Sequence, residues 1–282
     1  MRASFVILGF VVLSGAASAN LCEEEFYSDA ERLQRIVEGN QGFRTSRRLS
    51  ETDVAASGTA EASYQTVLGS GFLPNLKKTA ASGGTWLDVG IGEGNAARDA
   101  LVNPEYAKLR FLGVGPFMKP EWVEAWEPLL RDAGARAEVR FDVVEKALAG
   151  KRAFADVATD VYGALSYTTE FDRTLFQELD SLKEGGNLFF ALQKFVSNED
   201  LYLKIARPDG TAVTLLDFLG SIRGIRVVKI ETTGLRSIAV HLERTGDALE
   251  IPSLKLSKLN SERNPPRRTY VWDPKAKRIG SP

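Results

Sequence analysis

An apolar segment that ends in an acid and runs into three alternate glycines constrains this fold more than any other feature. The segment reads Thr85-Trp86-Leu87-Asp88-Val89-Gly90-Ile91-Gly92-Glu93-Gly94-Asn95-Ala96-Ala97. Glycines permit positive φ and let a ligand approach the backbone with no Cβ in the way. A helix that starts after them offers free N–H groups to a carboxylate. The pattern therefore predicts a buried strand, a ligand-binding turn and a helix in direct succession.

Short apolar runs alternate with helical patterns through the middle of the chain. The candidate strands are 85–89, 110–114, 137–141, 156–159 and 187–192. The candidate helices are 61–80, 95–103, 119–132 and 170–183. This alternation indicates βαβ units and a parallel sheet covered on both faces. Further on, 226–232 and 237–242 flank Thr233-Gly234, which predicts an antiparallel hairpin.

The first 19 residues have the composition of a secretory signal. Arg2 is the only charge, the run from Phe5 to Leu13 is apolar apart from Gly9, and Ala17-Ser18-Ala19 has the small-x-small pattern of a cleavage site. The apolar core is too short for a permanent transmembrane helix. The sequence therefore predicts a cleaved signal, a secreted or periplasmic chain and no stable membrane insertion. An uncleaved anchor and a cytosolic chain are the alternatives.

Composition divides the remainder into three parts. Residues 20–60 contain a helical pattern at 23–38 and then a linker rich in Gly, Ser and Arg. Residues 61–254 hold all the predicted strands of the sheet. This middle part is therefore the predicted ligand-binding domain.

Residues 255–282 form the third part and hold eight basic and two acidic residues. The run Pro265-Pro266-Arg267-Arg268 argues against regular structure there. We expect a solvated basic tail, packed in part through Tyr270, Val271 and Trp272. A basic arm for an anionic partner is the alternative.

The glycine spacing argues against a dinucleotide-binding site. That fingerprint is G-x-G-x-x-G, which would place its third glycine where Asn95 stands. It also needs an acid at the end of the second strand, where the sequence reads Val114-Gly115-Pro116. A nucleotide-dependent oxidoreductase is therefore disfavoured.

The D-V-G-x-G-x-G pattern resembles motif I of the class I S-adenosylmethionine-dependent methyltransferases. The order and spacing of the strands from about 85 to 242 are similar to that family. Leu182-Lys183-Glu184-Gly185-Gly186-Asn187-Leu188 resembles the L-K-P-G-G turn that enters the fifth strand, with Glu184 in place of proline. Residues 155–163 resemble the fourth strand and the loop that faces the site. The resemblance implies an α/β, Rossmann-like fold with a seven-stranded, mostly parallel sheet, helices on both faces and an antiparallel terminal hairpin.

The resemblance also implies a cofactor, S-adenosylmethionine, and the residues that bind it. The turn of Gly90, Gly92 and Gly94 would pack under the amino-acid part of the cofactor, and Asp88 would order this turn and reach the ammonium. The implied set of cofactor-binding residues is Asp88, Gly90, Gly92, Glu93, Gly94, Asp142 and Asp160. Asp142, after the third strand, would accept from the adenine amine. Asp160, after the fourth strand, would face the cofactor and substrate. The less favoured alternative is that Asp142 and Asp160 are solvated strand ends or helix caps.

One departure from the family concerns the ribose. The family places an acid at the end of the second strand, where it binds both ribose hydroxyls, and this chain has Gly115 there. The loss of a charge-assisted bidentate contact weakens binding by about 1.5–3 kcal/mol. Glu93 and Glu121 are candidate substitutes. The departure leaves open a catalytically inactive, methyltransferase-like binding protein.

The candidate catalytic residues follow the fourth strand. They are Asp160, Tyr162, Tyr167, Glu170 and Asp172. A base is needed only when the acceptor must lose a proton. The N-P-P-Y sequence of amine-methylating members is absent, which argues mildly against a nucleobase or amide nitrogen as acceptor. The acceptor stays an unidentified small molecule or protein. His241 lies within a predicted strand, so we expect a packed or surface histidine.

The composition excludes further classes. The 282 residues are 44% hydrophobic and 26% charged, with a net charge of −1, so no general attraction to nucleic acid is expected. The single cysteine, Cys22, cannot close an intramolecular disulfide. The single histidine argues against a Ser-His-Asp triad, and no metal is predicted.

Overall fold

A computed structural model defines the fold. The structure describes residues 64–92, 94–115, 120–194, 201–233, 237–260 and 265–280. The predicted signal segment, the helical pattern at 23–38 and the linker to residue 60 lie outside these residues, as does Glu93.

The described part of the chain contains eight α-helices and thirteen strands. The helices are α1 (Tyr64–Leu68), α2 (Phe72–Ala81), α3 (Asn95–Val102), α4 (Pro120–Ala133), α5 (Val144–Ala147), α6 (Ala164–Tyr167), α7 (Phe171–Asp180) and α8 (Leu215–Gly220). The strands are β1 (Thr85–Val89), β2 (Arg110–Gly115), β3 (Ala137–Phe141), β4 (Ala155–Val161), β5 (Leu182–Gln193), β6 (Leu203–Ala206), β7 (Ala212–Val213), β8 (Ile225–Thr233), β9 (Ser237–Arg244), β10 (Glu250–Pro252), β11 (Leu254–Asn260), β12 (Arg267–Trp272) and β13 (Arg278–Gly280).

Seven strands form the main sheet in the order β3-β2-β1-β4-β5-β9-β8. Strands β1 to β5 are mutually parallel, and β9 runs antiparallel to both of its neighbours. This is the predicted α/β architecture, with its antiparallel hairpin formed by β8 and β9. The strand order reverses between β1 and β4, and such a point opens a crevice at the carboxyl ends of the strands.

The main sheet is covered on both faces because its central strands are apolar on both sides. β1 is buried along its whole length. Trp86 packs into a cluster with residues of α1 to α4, whereas Leu87 and Val89 pack into a second cluster with residues of α5 to α8. This alternation is the period of two that a strand imposes on its side chains. The predicted helices on both faces are therefore confirmed.

Most predicted elements of the main sheet and its helices differ from the observed ones by a few residues at one or both ends, and two differ more. The helix predicted at 61–80 is interrupted after Leu68, where Gly69 has a φ of 83°. The predicted turn at 182–188 is part of β5, which pairs with β4 from Leu182 onward with a register shift beside Ala155. Gly185, at a φ of 74°, supplies the irregular backbone that the motif suggested.

The C-terminal segment is folded, so the prediction that it lacks regular structure is wrong. β12 pairs parallel with β6 and antiparallel with β11 in a four-stranded sheet of order β11-β12-β6-β7, and β13 pairs with β10. The side chains of Arg268, Tyr270 and Trp272 are buried, and Val271 is half-buried. Pro265 and Pro266 precede β12, a position where proline costs no ladder hydrogen bond.

Candidate functional site

The three glycines form a tight turn between β1 and α3. Gly90, Gly92 and Gly94 have φ values of 74°, 56° and 71°. The amide of Gly90 donates to the carbonyl of Val114 at 2.8 Å, and that of Ile91 donates to the same carbonyl at 3.1 Å. The turn is therefore anchored to the carboxyl end of β2 and lies beside the strand-order reversal.

Two of these glycines are needed because other protein atoms lie against them. A Cβ at Gly90 would stand 2.3 Å from the Cα of Gly163, in the loop after β4. A Cβ at Gly94 would stand 2.2 Å from the ring of Trp126 in α4. The turns after β1 and β4 are thus in direct backbone contact.

Asp88 lies in β1 directly before this turn but binds other partners. Its carboxylate is fully buried and accepts hydrogen bonds from Tyr64 Oη at 2.8 Å and from Thr159 Oγ1 at 2.6 Å. Thr159 Oγ1 in turn accepts from Trp86 Nε1 at 2.8 Å. Burial raises the pKa of Asp88 to about 7. These contacts connect Asp88 to α1 and β4, whereas the sequence predicted that it orders the glycine turn.

Asp160 caps the loop that follows β4. It is fully buried and accepts from the amides of Gly163 at 2.7 Å and Leu165 at 2.8 Å. Burial raises its pKa to about 6, which hydrogen bonds and the charge of Arg268 partly oppose. The pKa of the adjacent, fully buried Glu178 is raised well above its usual range by burial and by the Asp160 charge. Asp160 therefore acts as a cap here, one of the two roles that the sequence left open.

Arg268 and Tyr270 reach the same loop from β12, and sequence reasoning missed both. Arg268 is 1% exposed, and it donates from Nη1 to the Thr168 carbonyl at 2.5 Å and from Nη2 to the Leu165 carbonyl at 3.0 Å. Tyr270 Oη donates to the Thr168 carbonyl at 3.1 Å. In the sequence, Arg268, Tyr270 and Trp272 stand at every second position. This spacing is the signal that could have placed them on one face of a strand.

The two candidate tyrosines lie in this loop with their rings turned inward. Tyr162 has a φ of 53° and its hydroxyl is hydrogen-bonded to that of Ser237. Tyr167 is buried, and burial raises the pKa of its hydroxyl further above the usual value. Both rings are wall residues in this conformation.

The two acids next along the chain also have protein partners. Glu170 forms an ion pair with Arg173 at 2.7 Å. Asp172 is 5% exposed and accepts from the amide of Leu254 at 2.8 Å, and burial raises its pKa. Both carboxylates are therefore engaged by protein partners, which argues against a role as general base.

Asp142 follows β3 and is half-exposed. Its carboxylate accepts from the amide of Val143 at 2.8 Å and lies 4.0 Å from the Lys146 ammonium. The rest of this carboxylate faces solvent. It is therefore compatible both with binding an adenine amine and with simple solvation at a strand end.

The position of the missing ribose acid is occupied by an aliphatic side chain. Ile91 is 2% exposed, and its Cγ2 lies 3.0 Å from where a Cβ would stand at Gly115. Its Cδ1 lies 2.4 Å from the corresponding point at Gly113. The two glycines of β2 and the large residue of the turn are therefore complementary in size. Of the predicted substitutes, Glu93 lies outside the described residues and Glu121 falls in α4.

His241 is a packed histidine, as predicted. Its ring stacks on Phe189 with centroids 4.0 Å apart, and Nε2 is hydrogen-bonded to Asn187 Oδ1 at 2.7 Å. Burial lowers its pKa to about 4, so the ring is neutral at physiological pH.

A cleft of about 570 Å³ lies between the start of α7 and the C-terminal strands. Its lining includes Thr169, Glu170, Asp172, Arg173, Lys255 and Lys277. The cleft therefore joins the loop after β4 to the segment predicted as a tail. Within the described residues there is no group of three or more potential metal-ligating side chains, and none of their helices has the length and apolarity to cross a membrane.

The chain matches no protein-family model and no curated protein. Solved structures with a similar fold include 1,6-didemethyltoxoflavin-N1-methyltransferase from Burkholderia thailandensis, with bound 1,6-didemethyltoxoflavin and S-adenosylhomocysteine (17% identity, 79% of this chain and 93% of that chain, TM-score 0.47). Others are the [4+2]-cyclase SpnF (17% identity, 76% and 92%, TM-score 0.42) and an S-adenosylmethionine-dependent methyltransferase from Aquifex aeolicus (18% identity, 64% and 92%, TM-score 0.41). Both measures of similarity are low, so the function has to be inferred from the residues of this chain.

These residues fit S-adenosylmethionine in part. The turn has the positive φ values of a backbone cradle, and Asp142 is half-exposed at the neighbouring strand end. The ribose position does not fit, because Gly115 offers no hydrogen-bonding side chain and Ile91 lies beside it.

Proposed function

We propose that this chain binds S-adenosylmethionine at the glycine turn and transfers its methyl group to an unidentified small-molecule or protein acceptor. The observation that carries the proposal is the turn itself. Three glycines with positive φ lie between β1 and α3, at the carboxyl edge of a parallel sheet and beside its strand-order reversal. Open α/β sheets bind their ligands at this place.

In this proposal the chain supplies binding and alignment. The turn around Gly92 receives the amino-acid part of the ligand, and Asp142 accepts from the adenine amine. The bound cofactor supplies an already activated methyl group, so alignment and exclusion of water contribute most. The loop after β4 forms the acceptor side. Because Asp160, Tyr162 and Tyr167 are buried and engaged, an acceptor that needs no protein base is favoured.

We further propose that the protein acts outside the cytosol, in the secreted or periplasmic space. The support is the signal-like composition of residues 1–19. An exported enzyme has to receive a cofactor that is made in the cytosol, for example inside another cell. Fractionation of producing cells, with Edman sequencing of the exported chain, tests this part, and we expect a first residue at Asn20.

Calorimetric titration of S-adenosylmethionine and S-adenosylhomocysteine into the purified protein tests the cofactor. At a ligand concentration a hundred times Kd, we expect about 2.7 kcal/mol of added stability in a parallel melting experiment. Gly92→Val should abolish binding, because a φ of 56° disfavours valine and its side chain would fill the backbone cradle. The melting experiment should show that the variant is still folded. Gly220→Val is the matched control, since a Cβ there has nothing within 4 Å. Full affinity in Gly92→Val would contradict the proposed site.

A second candidate is a non-catalytic binding or interaction protein that retains the fold. The observation that favours it is the ribose position, where Gly115 replaces an acid and Ile91 lies alongside. This candidate predicts no detectable binding at millimolar S-adenosylmethionine. Measurable methyl transfer to any acceptor would exclude it.

A further inference from the structure

The C-terminal strand β12 inserts a charged side chain beneath the loop after β4. Arg268 donates to the carbonyls of Leu165 and Thr168, at 3.0 and 2.5 Å, from a position only 1% exposed. Tyr270, two residues on and on the same face of β12, donates to the Thr168 carbonyl as well. One strand therefore satisfies two carbonyls of the loop of residues 161–168, a segment that begins at the last residue of β4 and contains the single turn of α6.

Two amides of the same loop are satisfied from β4. Asp160 accepts from the amides of Gly163 and Leu165, and it is fully buried. The loop thus lies between a buried carboxylate that takes its N–H groups and a buried guanidinium that takes its C=O groups. Both side chains are costly to remove, because the buried backbone groups that they bind would lose a charged hydrogen-bond partner without gaining water.

This loop also forms one border of both candidate ligand regions. Gly163 is in backbone contact with Gly90 of the glycine turn. Thr168 is followed by Thr169, which lines the cleft of about 570 Å³ together with Lys255 and Lys277. A shift of the Leu165 and Thr168 carbonyls would therefore be transmitted to the turn on one side and to the cleft on the other.

We infer that Arg268 is a positioning residue, which sets the loop of residues 161–168 in the conformation that the glycine turn and the acceptor side require. The inference rests on the proposed function for the identity of the ligand. Its structural half, that β12 determines the loop conformation, stands on the hydrogen bonds alone. The segment predicted as a solvated tail is in this view part of the binding domain.

Amide hydrogen exchange in Arg268→Met tests the structural half. We expect the amides of Gly163, Leu165, Ser166 and Thr168 to exchange at least tenfold faster than in the wild type, with the amides of β1 unchanged. Arg267→Met is the matched control, because Arg267 is the same residue type on the opposite face of β12. In this control we expect no change in the loop. Equal acceleration in β1 and the loop, or unchanged loop exchange, would overturn the inference.

Two milder variants keep the test decisive if Arg268→Met does not fold. Tyr270→Phe removes only the second donor to Thr168 and should accelerate exchange at the Thr168 end of the loop by about threefold. Arg268→Lys keeps the charge but not the two-pronged geometry, so its exchange should fall between those of the wild type and Arg268→Met. Wild-type exchange in both variants would overturn the inference.

Titration with S-adenosylhomocysteine tests the functional half. We expect at least tenfold weaker binding in Arg268→Met, unchanged binding in Arg267→Met and partial recovery in Arg268→Lys. A loosened loop with wild-type affinity would show a merely structural role and overturn the positioning role. A wild-type protein that binds no S-adenosylhomocysteine would remove the proposed function and with it the cofactor role of Arg268. The exchange comparison would then decide by itself whether β12 determines the loop.

Discussion

The turn after β1 and the loop after β4 touch at Gly90 and Gly163, yet they are held in different ways. The first uses small residues: positive φ at three glycines and amides bonded to the end of the neighbouring strand. The second uses buried charge, with Asp160 on its amides and Arg268 on its carbonyls. A glycine turn is specified by its own residues, whereas a charge-held loop depends on a partner far along the chain. Substitutions should therefore damage the two loops by different routes.

The largest effect is expected at the charge-held loop. Asp160→Ala removes two hydrogen bonds to loop amides, which stay buried, and it removes a carboxylate whose charge interacts with Arg268. We expect a loss of about 3–5 kcal/mol in the free energy of unfolding, measured by urea denaturation. Asp132→Ala, at an exposed site of α4, is the control and should stay within about 0.5 kcal/mol of the wild type. A loss of similar size in both variants would show that the effect is not specific to the charge-held loop.

The glycine turn should respond to an added side chain, through overpacking and backbone strain. Gly90→Ala places a Cβ 2.3 Å from the Cα of Gly163 and keeps a φ of 74° that disfavours alanine. We expect a loss of about 3 kcal/mol in the free energy of unfolding, from overpacking and backbone strain together. Gly220→Ala serves as control. An unchanged urea midpoint for Gly90→Ala would mean that the two loops can separate at no cost.

The pH dependence of stability should report the protonation of Asp88, the buried carboxyl beside the glycine turn. The folded-state pKa of Asp88 is about 7, above its ordinary value of 3.8, so the folded protein binds this proton more tightly than the unfolded chain. Its contribution to stability is therefore present below about pH 4 and is lost as the pH rises from there to about 7. Asp88→Asn should reduce the fall in unfolding free energy between pH 5 and pH 7 by roughly 2 kcal/mol. If the unfolding free energy of the variant and the wild type depends on pH in the same way, the titration does not belong to Asp88.

The smallest expected effect concerns the ribose position. Ile91→Ala combined with Gly115→Asp opens the space and supplies a carboxylate, and we expect S-adenosylhomocysteine to bind about tenfold more tightly, or about 1.4 kcal/mol. Gly115→Asp alone should bring no gain, because its Cβ would lie 3.0 Å from Ile91 Cγ2. Calorimetry on both variants measures this directly. If the double variant binds S-adenosylhomocysteine no more tightly than the wild type, the ribose does not lie beside residues 91 and 115.

The same contrast explains which parts of the structure could be predicted. Strands β1 and β3 have the predicted bounds, because an apolar run and its flanking residues are local signals. The glycine turn is predictable for the same reason, because its three glycines lie within residues 90–94. The partners of Asp88 could not be found in this way, since Tyr64 and Thr159 are separated from it by 24 and 71 residues.

The C-terminal strands illustrate the limit most clearly. The Pro265-Pro266 pair and the high density of basic residues indicate a tail, while the side chains that β12 buries occupy every second position and begin with a charged residue, Arg268. Burial of Arg268 becomes predictable only when its carbonyl partners are known, and residue type alone favours exposure for arginine.

The hydrogen bond between Arg268 and Thr168 has a consequence for the order of folding. The two residues are 100 positions apart, and β12 pairs with β6, which itself lies far upstream. During synthesis the glycine turn can form as soon as β1 and β2 have emerged, whereas the loop after β4 must wait until β12 has been made. Contacts of such separation close slowly because a long stretch of chain has to be ordered first. The protein should therefore pass through a stage in which the glycine turn is built and the loop after β4 is still unformed.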